Sequence, residues 1–184
     1  MLIWYKQSQH QPVSHLAIIG RLANRKRMNL IVRENSRHMA ILDLGCGEGE
    51  VVRTLRSDGF NIIGIDPNLP AGSETSYLLR KSAYETGFED NTFDCVLCLE
   101  TIEHLDPKVY LEISRILKRG GKLFVTTPKR RWNWLIEFLS SIRLSDPLVT
   151  PHINLVDPQD IPLELIRHKS FMLVEWWGIY LNRK

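Results

Sequence analysis

Two short stretches carry residue types that could do chemistry. LETIEHLD, residues 99 to 106, sets Glu100, Glu103 and His104 at i, i+3 and i+4, so one turn of helix would bring two carboxylates and an imidazole onto one face. ILDLGCGEGE, residues 41 to 50, is an apolar run entering a turn with Gly45, Gly47 and Gly49, and Asp43 stands two residues ahead of the first glycine. A strand, a Gly-rich turn and a helix in succession place a ligand at the carboxyl ends of the strands. A dinucleotide fingerprint would need glycine at position 50, where Glu50 stands, and its charge would oppose a pyrophosphate. Asp66, in IIGIDPN, ends the next apolar run; one carboxylate there can accept from both hydroxyls of a ribose diol.

These residues need elements to position them. Apolar runs AILDLG (40 to 45), NIIGID (61 to 66), FDCVLCL (93 to 99) and KLFVTT (122 to 127) alternate with the helical patterns VVRTLRSDG (51 to 59) and PKVYLEISRILKRGG (107 to 121). Continuous apolar strands alternating with helices predict an α/β fold: three layers, doubly wound around a mostly parallel sheet. A weaker strand, YLLRK (77 to 81), is expected after a turn or very short helix in PNLPAGSETS. Gly120 and Gly121 are expected to close the helix that Pro107 opens. Beyond 128 the pattern predicts an insertion with one helix, then a helix over PQDIPLELIRHK and a last strand in SFMLVEWWGIY. That makes six strands, with the final strand either pairing beside KLFVTT or leaving an edge for a homodimer to cap.

The chain reads as a single domain, 1–184, divided into a basic N-terminal helix or lid (1–38), a core (39–128), an insertion or lid (129–157) and a C-terminal helix and strand (158–184). Its 43% hydrophobic and 24% charged composition is ordinary for a soluble protein. With no span-length apolar run and no signal-peptide pattern, the expectation is a cytoplasmic protein, with room for peripheral membrane contact. Cys95 and Cys98 spell C-x-x-C, but three residues apart on a strand they face opposite ways and read as structural. Residues 1 to 39 hold seven Lys or Arg against one acid, Glu34. Within them GRLANRKRMNLIVRENSR reads as an amphipathic helix whose charges form a solvated face or an anion-facing arm.

Taken in order, ILDLGCGEGE, Asp66, FDCVLCLETIEHLDP and LKRGGKLFVTTP resemble a class I S-adenosylmethionine-dependent methyltransferase of the type 11 and ubiquinone-pathway group. The likeness covers about residues 35 to 128 motif by motif, and His152 to Tyr180 more loosely. It implies S-adenosylmethionine as cofactor, with Asp43, Gly45, Cys46 and Gly47 at its methionine end, Asp66 and Pro67 at the ribose, Ser82 and Ala83 at the adenine, and Leu99 closing the pocket. Ser82 stands where the family pattern has an acid, which removes a charge-assisted hydrogen bond.

The same resemblance implies two roles for LETIEHLD. Subgroups with an E-x-x-E-H segment bind a divalent ion, so Glu100, Glu103, His104 and His152 become candidate ligands for Mg, Mn or Zn, which would acidify an acceptor hydroxyl. Without metal, His104 or His152 could be the general base, or alignment alone could suffice. KRRWNWLIEFLSSIRL (129 to 144) pairs Lys129, Arg130 and Arg131 with an apolar stripe of Leu135, Phe138, Leu139 and Ile142 beside Trp132 and Trp134. It reads as an interfacial membrane helix or as a lid over the site. The expected activity is O-methylation of a small molecule, lipid, quinone or lipid-linked sugar. The alternatives are a metal-dependent RNA 2′-O-methyltransferase, disfavoured by the low net charge, and a noncatalytic binding partner of the same fold.

Overall fold

The computed structural model describes residues 15–130, 155–171 and 175–184, and side chains over 25–130, 155–170 and 175–184. In chain order the elements are α1 (His15–Glu34), β1 (Ile41–Leu44), α2 (Glu50–Ser57), β2 (Ile62–Ile65), β3 (Leu78–Leu79), β4 (Phe93–Leu99), a 3-10 turn (Ile102–His104), α3 (Val109–Ile116), β5 (Leu117–Pro128), a second 3-10 turn (Pro158–Asp160), β6 (Glu164–Phe171) and β7 (Glu175–Leu181). The sheet order is β3-β2-β1-β4-β5-β7-β6. Strands β1 to β5 are mutually parallel, and β7 runs antiparallel between β5 and β6. The strand order reverses between β1 and β4, which makes their carboxyl edge the switch point.

Alternation along each strand builds a core on both faces. On one face, α3 buries Val109, Ile113 and Ile116 against Val96, Cys98, Leu123 and Val125. On the other, Ile31 of α1 and Val52 and Leu55 of α2 cover Ile41, Cys95, Leu97 and Phe124. Cys95 and Cys98 thus sit on opposite faces, both buried with free thiols, as the strand period requires.

Three expectations are corrected. The sheet has seven strands among the described residues, not six. The extra one, β6, lies where a helix is expected over PQDIPLELIRHK. A capping box between Asp157 and Asp160 does start a turn there, but Pro162 follows within the same segment, and a proline inside a helix costs about 3 kcal/mol or more. The chain instead forms an antiparallel hairpin with β7. β7 fills the place beside β5, pairing Trp177 with Thr126 and Trp176 with Thr127, so the exposed edge that would have called for a dimer does not arise there. Met172 lies outside the described residues.

The third correction concerns α3, which stops at Ile116 and turns directly into β5 at Leu117, ahead of Gly120. The cap is tertiary. Asn182, at the end of β7, donates through Nδ2 to the carbonyls of Ser114 and Leu117, both at 3.1 Å. A side chain immediately after β7 does the work expected of local glycines. Between β2 and β3 there are only turns, in line with the expected absence of a full crossover helix.

Candidate active site

The glycine turn follows β1 and is pinned from two sides. The N–H groups of Gly45 and Cys46 donate to the carbonyl of Ile65, at 2.8 and 3.0 Å, which ties the turn to β2. The Thr101 hydroxyl sits between the carbonyls of Leu99, at 3.0 Å, and Gly45, at 3.3 Å, which sets the turn against the end of β4. A side chain at Gly45 is excluded twice, because its φ is +80° and a Cβ there would lie 2.2 Å from Thr101 Cγ2. Gly47 differs: its φ is +54° and nothing lies within 4 Å of where its Cβ would be. Its missing side chain leaves open space against the backbone.

Two carboxylates stand by the turn. Asp43, on β1, is 2% exposed, and its Oδ1 is buried without a hydrogen-bond partner among the described protein atoms. Burial, reinforced by the charge of Asp66 and opposed by Arg27, pushes its carboxyl up to about 7. Asp66 is held by two backbone donors, Gly47 N–H to Oδ2 at 2.9 Å and Asn68 N–H to Oδ1 at 2.7 Å. Each oxygen keeps a second lone pair, so the aimed carboxylate can still accept from a diol. An orphaned buried acceptor, a bare glycine backbone and a fixed carboxylate fit the methionine and ribose parts of S-adenosylmethionine.

The other residues expected at the cofactor lie around the same carboxyl edge. Cys46 is half-buried in the turn, Pro67 is exposed after β2, and Leu99 is half-buried at the end of β4. Ala83 is buried and Ser82 exposed in the segment after β3. The Ser82 hydroxyl accepts from Tyr84 N–H at 3.2 Å, so its first role is to shape its own loop.

LETIEHLD does not form the expected helical face. Glu100 has φ +50°, outside any right-handed turn and rare for a residue with a side chain. Its N–H is anchored to Thr126, on the carbonyl at 3.0 Å and the hydroxyl at 3.1 Å. Only Ile102–His104 coil, as a 3-10 turn. Glu100 instead meets Arg27 of α1, with Glu175 of β7 joining from another side, and Glu103 lies close enough to feel the same charge. Arg27 Nη2 lies 3.2 Å from Glu100 Oε1 and 2.8 Å from Glu175 Oε1. Glu103 is 1% exposed, and its Oε2 accepts from the Thr127 hydroxyl at 3.0 Å. Burial raises the carboxyls of both Glu100 and Glu103, with Arg27 opposing the shift in each.

Among the described residues, the side chains are not arranged to hold a divalent ion. Glu100 and Glu175 already share a guanidinium, Glu103 holds a hydroxyl, and among the described residues no three His, Cys, Asp or Glu side chains gather as a metal would need. His104 is half-buried beside the cluster, and His152 lies outside the described residues. Arg27 and Glu175 were not foreseen. Arg27 stands four residues before fully buried Ile31, so it shares the inward face of α1, and a cation at that spacing was the available signal. Of the cations ahead of the 132–144 stripe, Arg130 bonds the carbonyl of Leu155 at 3.0 Å and pairs with Asp160 at 3.1 Å. Arg131 and the stripe itself lie outside the described residues. No helix among the described residues is long and apolar enough to cross a membrane.

This fold and edge define the class I methyltransferase architecture. The chain belongs to the methyltransferase domain family, whose model matches residues 17–168. It is 32% identical over 124 residues to the ubiquinone biosynthesis O-methyltransferase of Colwellia psychrerythraea, covering 58% of this chain and 49% of that protein. It is 38% identical over 96 residues to an uncharacterized protein of Methanocaldococcus jannaschii, covering 50% and 42%. The chain thus spans about half the length of the curated relatives it matches. Among solved structures, a SAM-dependent methyltransferase from Methanosarcina mazei superposes with a TM-score of 0.62 at 18% identity over 83% of this chain and 96% of that one. One from Archaeoglobus fulgidus gives 0.61 at 15% over 91% and 94%. At that identity they show the fold alone.

Proposed function

We propose that this chain transfers a methyl group from S-adenosylmethionine to a hydroxyl of a small or lipid-like acceptor. The observation that carries the reading is the open backbone of Gly47, held on the fixed carboxylate of Asp66, in the turn that follows the strand bearing the orphaned oxygen of Asp43. The bound cofactor supplies a methyl already activated on a sulfonium. Asp66 orients the ribose, Asp43 offers a buried acceptor to the cationic methionine end, and Leu99 lines the edge beside it. Past Leu99, Glu100 and Glu103 present carboxyls raised by burial, and such groups can take a proton from a hydroxyl near neutral pH. His104 is a second proton acceptor at the same end. Three carboxylates against one guanidinium suit an acceptor that donates hydrogen bonds better than one presenting a phosphate or carboxylate. Similarity to a ubiquinone biosynthesis O-methyltransferase supports oxygen as the acceptor atom. The divalent-ion reading of Glu100, Glu103, His104 and His152 predicts turnover that stops in excess chelator.

Calorimetric titration of the protein with S-adenosylmethionine tests the cofactor site. Asp66→Ala should weaken binding by about 1.5 to 3 kcal/mol, the worth of a hydrogen bond to a charged group. Equal affinity for parent and variant would refute the ribose assignment.

A further inference from the structure

The acceptor end contains a positive charge that nothing in the motif reading assigns. Arg27 reaches from α1 across the carboxyl edge of the sheet, and its side chain is 14% exposed. Its guanidinium is shared by Glu100 from the turn after β4 and Glu175 from the start of β7, residues 73 and 148 positions away. Glu103, fully buried beside them, lies within its field, as does Asp43.

Glu103 is buried, Glu175 nearly so and Glu100 about a third exposed, and carboxylates gathered in such a part-buried place are unfavourable without a cation. A divalent ion would relieve it. Here the relief is covalently part of the chain, and one oxygen of each glutamate is already engaged, those of Glu100 and Glu175 by Arg27 and that of Glu103 by Thr127. Glu100 is held toward the guanidinium at a left-handed backbone angle, anchored by Thr126. Thr127, the next residue of β5, holds Glu103. Neighbouring residues of one strand thus fix the backbone of Glu100 and the carboxylate of Glu103 beside the arginine.

We infer that Arg27 is the positioning residue of the acceptor end, an internal cation that takes the place a divalent ion would fill and fixes Glu100, Glu103 and Glu175 for the acceptor. The inference rests on the methyl-transfer reading only for naming this the acceptor end. α1 is therefore part of the site, because the glutamates are neutralised only when the helix is seated on the sheet. Arg27 offers planar, directional donors to two carboxylates at once, whereas an ion would demand an octahedral or tetrahedral set.

The test is a titration of the full chain with Mn2+, read as free ion by electron paramagnetic resonance, with neither cofactor nor acceptor present. Wild type should take up no Mn2+ at the site. Arg27→Ala and the uncharged but polar Arg27→Gln empty the cluster of its cation, and each should bind one Mn2+ at least about tenfold more tightly than wild type, because the negative charge of the three glutamates is then uncompensated and ligand charge tightens divalent sites. Arg27→Lys keeps a charge in place and should behave as wild type. Adding Glu175→Gln to Arg27→Ala should weaken the acquired binding. A merely structural Arg27 would give folded variants with no new ion binding, which overturns the inference, as does a wild type that binds Mn2+ as tightly as Arg27→Ala. Because no cofactor is present, that failure is distinct from failure of the Asp66 titration. If Arg27→Ala and Arg27→Gln both fail to fold, recovery of the folded circular-dichroism spectrum by millimolar Mn2+ supports the inference, and no recovery overturns it.

Discussion

Asp43 shows how burial sets the protonation of this site. Its carboxyl is raised from 3.8 to about 7, chiefly by desolvation. The native state then binds a proton that the unfolded chain has released, so the unliganded protein should lose stability as pH rises between these values. Glu100 and Glu103 act with the same sign. Urea denaturation across that range should show the fall, and Asp43→Asn should reduce it, leaving the part due to Glu100 and Glu103. A cationic cofactor favours the ionised carboxylate, so its affinity should rise as pH passes through about 7 in wild type and rise less in Asp43→Asn. Glu112 has the opposite sign. Arg115, with Thr86, lowers its carboxyl to about 2, so its contribution is present above 4.5 and disappears as pH falls through about 2. Glu112→Gln should reduce acid-side loss of stability while leaving the fall above pH 4 in place.

At the scale of elements, the junction of α3 with β5 depends on one side chain immediately after β7. Asn182 is 1% exposed and serves carbonyls at the helix end, while its backbone carbonyl accepts from Gly120 N–H at 2.8 Å. Asn182→Ala should leave buried carbonyls without donors at a cost of about 2 to 3 kcal/mol, read as a lower urea midpoint with an unchanged slope. An Asn182→Asp variant, which cannot donate from that position when ionised, should be at least as damaging. If both are neutral, the helix end is capped by other groups.

At the scale of the molecule, α1 is tied down by charge at both ends of its described side chains. Arg27 meets Glu100 and Glu175, and Glu34 meets Arg167 of β6 at 2.6 Å and Lys122 of β5 at 3.4 Å. Between them Ile31 packs against the sheet. The helix thus runs from the Glu100 and Glu175 cluster to Lys122, midway along β5. Truncating Ile31 to Ala should cost about 2 to 5 kcal/mol as a buried large-to-small change and should also loosen the acceptor end. Amide exchange should rise around Glu100 and Glu175 as well as in α1. Membrane contact through the 129–144 segment predicts co-sedimentation with anionic liposomes that weakens with salt and disappears when Trp132, Trp134 and Phe138 become Ser; retention by that variant would assign the segment to a lid.

What the sequence determined by itself is what depends on neighbours along the chain. The strands around the switch point, the left-handed glycine turn and the placement of Asp43 and Asp66 at strand ends all follow from short-range period and backbone freedom, and all stand in the fold. The opposite burial of Cys95 and Cys98 follows the same rule. The tertiary structure decided what depends on partners far away in sequence. ELIRHKSF carries enough helix formers to read as a helix, yet hairpin pairing with β7 and the interruption at Pro162 made it β6. Asn182 replaced a glycine cap that the local pattern at Gly120 and Gly121 announced. The E-x-x-E-H spacing suggested a helical ligand face, but anchoring by Thr126 and Thr127 set Glu100 and Glu103 beside a guanidinium from α1. Local pattern carries no record of which distant charge will be buried beside which, and that pairing sets the electrostatics of this site.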